Sequence, residues 1–152
     1  MNLPYAGQCA CGDIRYSGTA VPKFSWLCHC RDCQRASGSA YCSIMYVPRE
    51  SLTVKGEATW YTVHAESGNK VSRGFCPRCG AQMFILADLV PPLQGVWAAS
   101  LDAPDEFDPV VQVWCGSART WGALHPTLPK IGKAPNEAEF EEILKLAAHG
   151  GR

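Results

Sequence analysis

No stretch of this sequence approaches the ~20 apolar residues that a helix needs to cross a bilayer, so a membrane-spanning helix is not expected. Nor does it carry an excess of either charge. Fourteen basic and 14 acidic residues give a formal net charge of 0, which argues against the basic footprint of a nucleic-acid-binding protein. Met1 to Ala10 contains no basic segment followed by an apolar run, so no signal peptide is expected, and a cytoplasmic setting with reduced thiols follows. There is no internal repeat, no low-complexity segment and no linker rich enough in Gly, Ser or Pro to divide the chain. No Ser–His–Asp set or phosphate-cradling glycine motif is present either. One domain is therefore expected over residues 1–152. A chain of this length buries roughly 70% of its unfolded surface, which suffices for a core without disulfide staples.

Short apolar runs punctuated by turn residues dominate what is there. Asp13–Tyr16, Phe24–Cys28, Ala40–Val47, Ser51–Val54, Thr59–Val63, Val71–Phe75, Gln82–Ile85, Val96–Ser100 and Val110–Trp114 read as strands, with Gly12, Gly18, Pro22, Pro48, Gly56, Gly68 and Pro91-Pro92 as breakers. This regular spacing predicts a mainly β domain of antiparallel strands. Two helices are expected. A short one over Arg31–Ala36 stops near Ser37-Gly38. A C-terminal one, about 136–148, starts at Asn136, which has capping-box spacing to Glu139; its apolar stripe is Phe140, Ile143, Leu144 and Ala147.

Nine cysteines are the most informative part of the composition. An odd number fits a closed disulfide set poorly. Their grouping fits it worse, because cysteines one or two residues apart rarely bridge without strain. They can, however, aim several sulfurs at one ion. Cys76-Pro77-Arg78-Cys79-Gly80 is the strongest local signal: two cysteines in a tight turn closed by Gly, the arrangement of a zinc knuckle. A redox pair would need a helix after it, whereas Gly80 and the strand-like Gln82–Ile85 follow. In Cys9-Ala10-Cys11-Gly12, alternate residues of an extended segment point to one side. Those two sulfurs are the natural second half of a closed four-sulfur site.

Cys28-His29-Cys30-Arg31-Asp32-Cys33 differs in kind. Three sulfurs converge where a strand gives way to a helix, and a metal with three protein ligands keeps a fourth position open for water or substrate. The alternative is a closed site completed by His29, Cys42 or Cys115. His29 alternates away from Cys28 and Cys30, and isolated cysteines in strand-like runs, such as Cys42 and Cys115, commonly serve as small buried hydrophobes. Seven thiolates outweigh two divalent cations. Arg31, Arg35, Arg73 and Arg78 lie beside them in sequence and could offset that charge or receive a substrate carboxylate.

Together, Gly7-x-Cys9-x-Cys11-Gly12, Cys28-His29-Cys30-x-x-Cys33-x-x-Ala36-Ser37-Gly38 and Gly74-Phe75-Cys76-Pro77-x-Cys79-Gly80 resemble the glutathione-dependent formaldehyde-activating enzyme family, which includes centromere protein V-like domains. Ala99-Ser100-Leu101-Asp102, Val113-Trp114 and Leu128-Pro129-Lys130 look like its C-terminal landmarks, so the resemblance runs from about Gly7 to Lys130. It implies a β-tent fold like that of zinc-bound Rab exchange factors. It also implies two Zn²⁺ per chain, a structural ion on Cys9, Cys11, Cys76 and Cys79 and a catalytic ion on Cys28, Cys30 and Cys33. The implied reaction is of the carbon–sulfur lyase class, in which glutathione adds to formaldehyde to give S-hydroxymethylglutathione. The implied partners are thus a glutathione-like thiol and a small aldehyde. Family members often carry His where this chain has Gln112. The rival expectation is a non-catalytic module whose zinc ions stabilise a protein-binding face.

Overall fold

In the computed structural model, residues 1–150 are described. The order of elements is β1 (Tyr5–Gln8), β2 (Arg15–Gly18), β3 (Phe24–Cys28), α1 (Arg31–Ser37), β4 (Cys42–Pro48), β5 (Leu52–Lys55), β6 (Thr59–His64), β7 (Lys70–Phe75), β8 (Gln82–Ala87), β9 (Leu93–Trp97), β10 (Val111–Val113) and α2 (Glu137–His149), with single 3₁₀ turns between some of them. A three-stranded sheet runs β1-β2-β5, and a seven-stranded sheet runs β10-β3-β4-β9-β8-β7-β6. The chain is therefore mainly β, as its punctuation predicts. One pair departs from the antiparallel expectation: β10 lies parallel to β3, with Val111 opposite Trp26 and Val113 opposite Cys28. Parallel neighbours need a long connection, and here most of the domain lies between the two strands.

Both faces of the large sheet are covered, and β4 shows how. Ile44 and Tyr46 point into a core shared with Phe24, Trp26, Trp97 and Ile143. Met45 and Val47 point the other way, into a core shared with Tyr5, Ile14, Tyr16, Phe84 and Leu101. Period-two alternation sends successive side chains to opposite faces, so a strand buried on both faces reads as one continuous apolar run. Phe24 stacks on Tyr46 at 4.7 Å between ring centroids and meets Phe140 of α2 edge-on at 5.2 Å. That contact seats the C-terminal helix on β3.

Helix α2 begins with the capping box expected of it. The Asn136 side chain accepts from Glu139 N–H at 2.9 Å, and Asn136 N–H donates to the Glu139 carboxylate at 2.8 Å. Ile143 is fully buried, with Phe140, Leu146 and Ala147 packed against the same core. Leu144, expected on that face, is exposed. At about 100° per residue, Leu146 falls roughly 60° from Ile143 and Leu144 roughly 100°, so Leu146 takes the core position. Asn136→Ala should cost about 1 kcal/mol. A domain of this size loses about 2–4 °C of melting temperature for that, and thermal unfolding followed by circular dichroism would show it. No helix among the described residues is long and apolar enough to cross a membrane.

Candidate metal centres and active-site cavity

Two cysteine knuckles from distant parts of the chain meet at the first centre. One follows β1, where Gly12 N–H donates to Cys9 C=O at 3.0 Å. The other follows β7, where Gly80 N–H donates to Cys76 C=O at 2.8 Å. Both turns close on a glycine of positive φ, +78° at Gly12 and +76° at Gly80, a conformation that costs glycine little. The sulfurs of Cys9, Cys11, Cys76 and Cys79 all lie within 4.8 Å of one another. Cys9 to Cys11 is 3.6 Å and Cys11 to Cys76 is 3.7 Å. Metal–sulfur bonds of about 2.3 Å in a tetrahedron would separate the sulfurs by about 3.8 Å, so the donor set fits Zn²⁺. Ile14 N–H donates to Cys9 Sγ at 3.2 Å. Burial raises the Cys9 pKa, but this bond and the Cys11 and Cys76 thiols outweigh it and bring the group down to about 6. Arg78 pairs with Asp13 at 2.8 Å across the two knuckles, an exposed contact worth little in itself.

The second centre forms where β3 ends. Cys30 caps α1, its sulfur accepting from Cys33 N–H at 3.3 Å. Gln34 anchors the helix start by donating to His29 C=O at 2.7 Å and Ser117 C=O at 3.0 Å. The sulfurs of Cys28, Cys33 and Cys42, all buried, lie within 4.8 Å of one another. Cys30, only half-buried, sits against Cys28 and Cys33. Cys33 is held well below the usual thiol range by the Cys28, Cys30 and Cys42 thiols, with help from Arg73 and against burial. Cys30, expected as a ligand, falls outside this group, as do His29 and Cys115, and Cys42 takes the third place in it. The His29 ring is buried 5.2 Å from the Tyr41 ring, and Cys115 donates to Gln112 C=O at 3.5 Å.

Cys42 is the residue that sequence reasoning set aside. It is buried, as a small hydrophobe would be, yet it stands directly opposite Cys28 across the antiparallel β3–β4 pair. A strand register would have revealed it, but spacing along the chain does not.

Of the four nearby arginines, Arg73 alone faces these sulfurs. Its Nη2 lies 3.7 Å from Cys33 Sγ, it is 6% exposed, and its Nε has no hydrogen-bond partner. Arg31 donates to Gln34 Oε1, and Arg35 pairs with Asp32 at 3.8 Å. A cavity of about 510 Å³ opens over this centre, lined among others by Cys28, Cys30, Cys33, Arg73, Trp26 and Trp114. Its size suits a small-molecule ligand. Trp114 holds φ +60° at its rim, strain of a kind that collects at binding sites. Gln112 stands apart: fully buried, its amide donates to His125 C=O at 3.0 Å while accepting from His125 N–H at 2.7 Å. Two-way pairing of this kind needs a donor and an acceptor on one group, which an amide supplies.

The chain thus combines a mainly β fold with two sulfur clusters able to hold metal ions, one of them beneath a cavity. The family model for the glutathione-dependent formaldehyde-activating enzyme matches residues 4–117; the chain belongs to that family. The matched span stops short of Leu128-Pro129-Lys130. A crystal structure of a Rhodobacter sphaeroides protein from a structural genomics programme is similar in fold, with a TM-score of 0.52 and 22% identity over 64% of this chain and 87% of that one. No curated protein sequence matches the chain.

Proposed function

We propose that this chain is a zinc-dependent carbon–sulfur lyase that joins a thiol to a small aldehyde, with glutathione and formaldehyde as the pair and S-hydroxymethylglutathione, or a related thiol adduct, as the product. In this reading the chain works as one domain in the reducing cytoplasm. Cys9, Cys11, Cys76 and Cys79 hold the structural zinc, and Cys28, Cys30 and Cys33 contribute to the catalytic one. The observation that carries it is the cavity of about 510 Å³ ending on the Cys28, Cys30 and Cys33 sulfurs beside a buried arginine.

A zinc ion bound by these sulfurs would lower the pKa of a thiol joining its shell. The apolar walls given by Trp26 and Ile85 keep water away and strengthen each charge interaction within. Arg73 offsets the negative charge of the sulfurs and lies where it can hold the oxygen of the aldehyde as charge develops on it. The thiol sulfur bonds to the carbonyl carbon, the C=O π bond opens, and the proton lost from sulfur ends on the new hydroxyl oxygen. In reverse, the same steps cleave the C–S bond. Arg31 and Arg35 at the cavity mouth suit the carboxylates of a glutathione-like peptide.

Turnover of zinc-loaded protein with a panel of thiols and aldehydes tests this. Glutathione with formaldehyde should exceed the uncatalysed rate by the widest margin, with the adduct followed by NMR. No acceleration with any pair would sink the enzyme reading. The protein-binding module, which a fourth sulfur at Cys42 would suit, would then be the better one.

A further inference from the structure

At the second centre the three mutually close sulfurs are those of Cys28, Cys33 and Cys42, with half-buried Cys30 against Cys28 and Cys33, and the presence of Cys42 among them is built in rather than incidental. Cys42 is the first residue of β4, paired in register with Cys28. Backbone pairing therefore fixes both side chains on one face. Its sulfur is within 4.8 Å of those of Cys28 and Cys33. Four features set it apart from Cys115, the other cysteine outside the two motifs: full burial, a rigid strand, an in-register cysteine partner and membership of the sulfur group. Cys28, Cys30 and Cys33 line the cavity with Arg73, and Cys42 lies in the same buried core as Cys28, Cys33, Ile44 and Tyr46.

We propose that Cys42 is a fourth sulfur ligand of the second metal centre, presented by β4 on the same sheet face as Cys28. With a metal bound, Cys28, Cys30, Cys33 and Cys42 would then hold it with four sulfurs and leave no open position. Where thiol chemistry runs at this centre, a step that rests on the function proposed above, the incoming thiol takes the place of Cys30. Cys30 is the half-buried member, and it hangs from the start of a short helix, whereas Cys28 and Cys42 are locked in paired strands. The exchange is balanced: one metal–sulfur bond forms and one breaks, and the proton released by the substrate thiol is taken up by the departing Cys30 thiolate.

X-ray absorption of zinc-loaded protein in thiol-free buffer reads the ligand set directly. With both sites filled, the mean count should be about four sulfurs per zinc. In Cys42→Ala it should fall to about 3.5, with a light-atom ligand appearing, and in Cys115→Ala it should stay at about four. A wild-type value of about 3.5 with a light-atom ligand, or a count unmoved by Cys42→Ala, would overturn the proposal. Should Cys42→Ala not fold, four sulfurs in both wild type and Cys115→Ala assign the ligand by elimination, since no other cysteine remains. Saturating glutathione should make Cys30 several-fold more reactive toward an alkylating reagent while Cys28, Cys33 and Cys42 stay protected. A protected Cys30 during turnover would overturn the exchange. Four sulfurs at rest with no turnover on any substrate pair would keep Cys42 as a ligand and remove only the enzymatic reading, so the two failures are distinguishable.

Discussion

Cys76→Ser is expected to reduce the zinc content from two ions per chain to one and to lower the melting temperature by about 10–20 °C, or to prevent folding altogether. The reasoning starts from topology. The knuckle after β1 and the knuckle after β7 belong to different sheets and lie 65 residues apart. Cys76 itself is fully buried within the core that joins those sheets. Structural zinc sites contribute folding energy outright, on the order of 10–16 kcal/mol in zinc-finger peptides, against a total stability of about 5–15 kcal/mol for a typical domain. Forfeiting a third to a half of the zinc contribution is about 5 kcal/mol, and a chain of this length loses about 2–4 °C for each. Cys30→Ser should cost far less, because Cys30 is half-buried and its neighbours remain tied by β3 and β4. Zinc analysis and calorimetry of the two variants decide the matter. Equal melting temperatures would show that the two centres do not divide labour as the topology implies.

Arg73→Met should lower kcat/KM for the thiol–aldehyde reaction by roughly 100-fold, the loss common when a preorganised group facing developing charge is removed. Zinc content should stay at two per chain, because Arg73 offers no metal-binding atom. Arg73→Lys should recover part of the activity of the proposed reaction: the charge survives, but the planar fork that lies against the Cys33 sulfur does not. Arg73 is buried, its Nε is unpartnered, and its Nη2 lies against the Cys33 sulfur. A buried cation held this way is costly unless the site uses its charge. Burial pulls the Arg73 pKa down, but the Cys33 sulfur beside it, with Cys30 and Asp32, raises it overall. Activity within twofold of wild type in Arg73→Met would mean that it only balances the sulfurs' charge.

Strands and knuckles were legible in the sequence because both are local. Alternation, turn residues and C-x-x-C-G spacing each speak within a few positions, and Phe24–Cys28 was read to its bounds. The strand over Tyr5–Gln8 went unread because Gly7, a poor strand former, interrupts it. The reason for that glycine lies far along the chain: the Tyr16 hydroxyl and the Ser100 carbonyl occupy the space a Cβ would need. Strand β9 begins at Leu93 rather than Val96, since Gly95 looks like a breaker but makes room for Ile85, Ile44 and Tyr46. The same division governs the site. Seven clustered cysteines announce themselves by spacing, whereas Cys42 and Arg73 reach the second centre through the pairing of β4 with β3 and of β7 with its sheet, which sequence spacing does not encode.

The parallel β3–β10 pair sets a schedule for synthesis. Strand β3 carries Cys28 and lies inside the large sheet, yet its partner on one side ends at Val113, so the ribosome must deliver most of the chain before that edge is covered. The first centre likewise waits for Cys79. Contacts this distant in sequence slow folding, and until they form, the nascent chain presents an apolar strand edge and several bare thiols. A cell making this protein quickly would be expected to need ample zinc and chaperone cover during translation, and low-zinc growth should shift its product toward inclusion bodies.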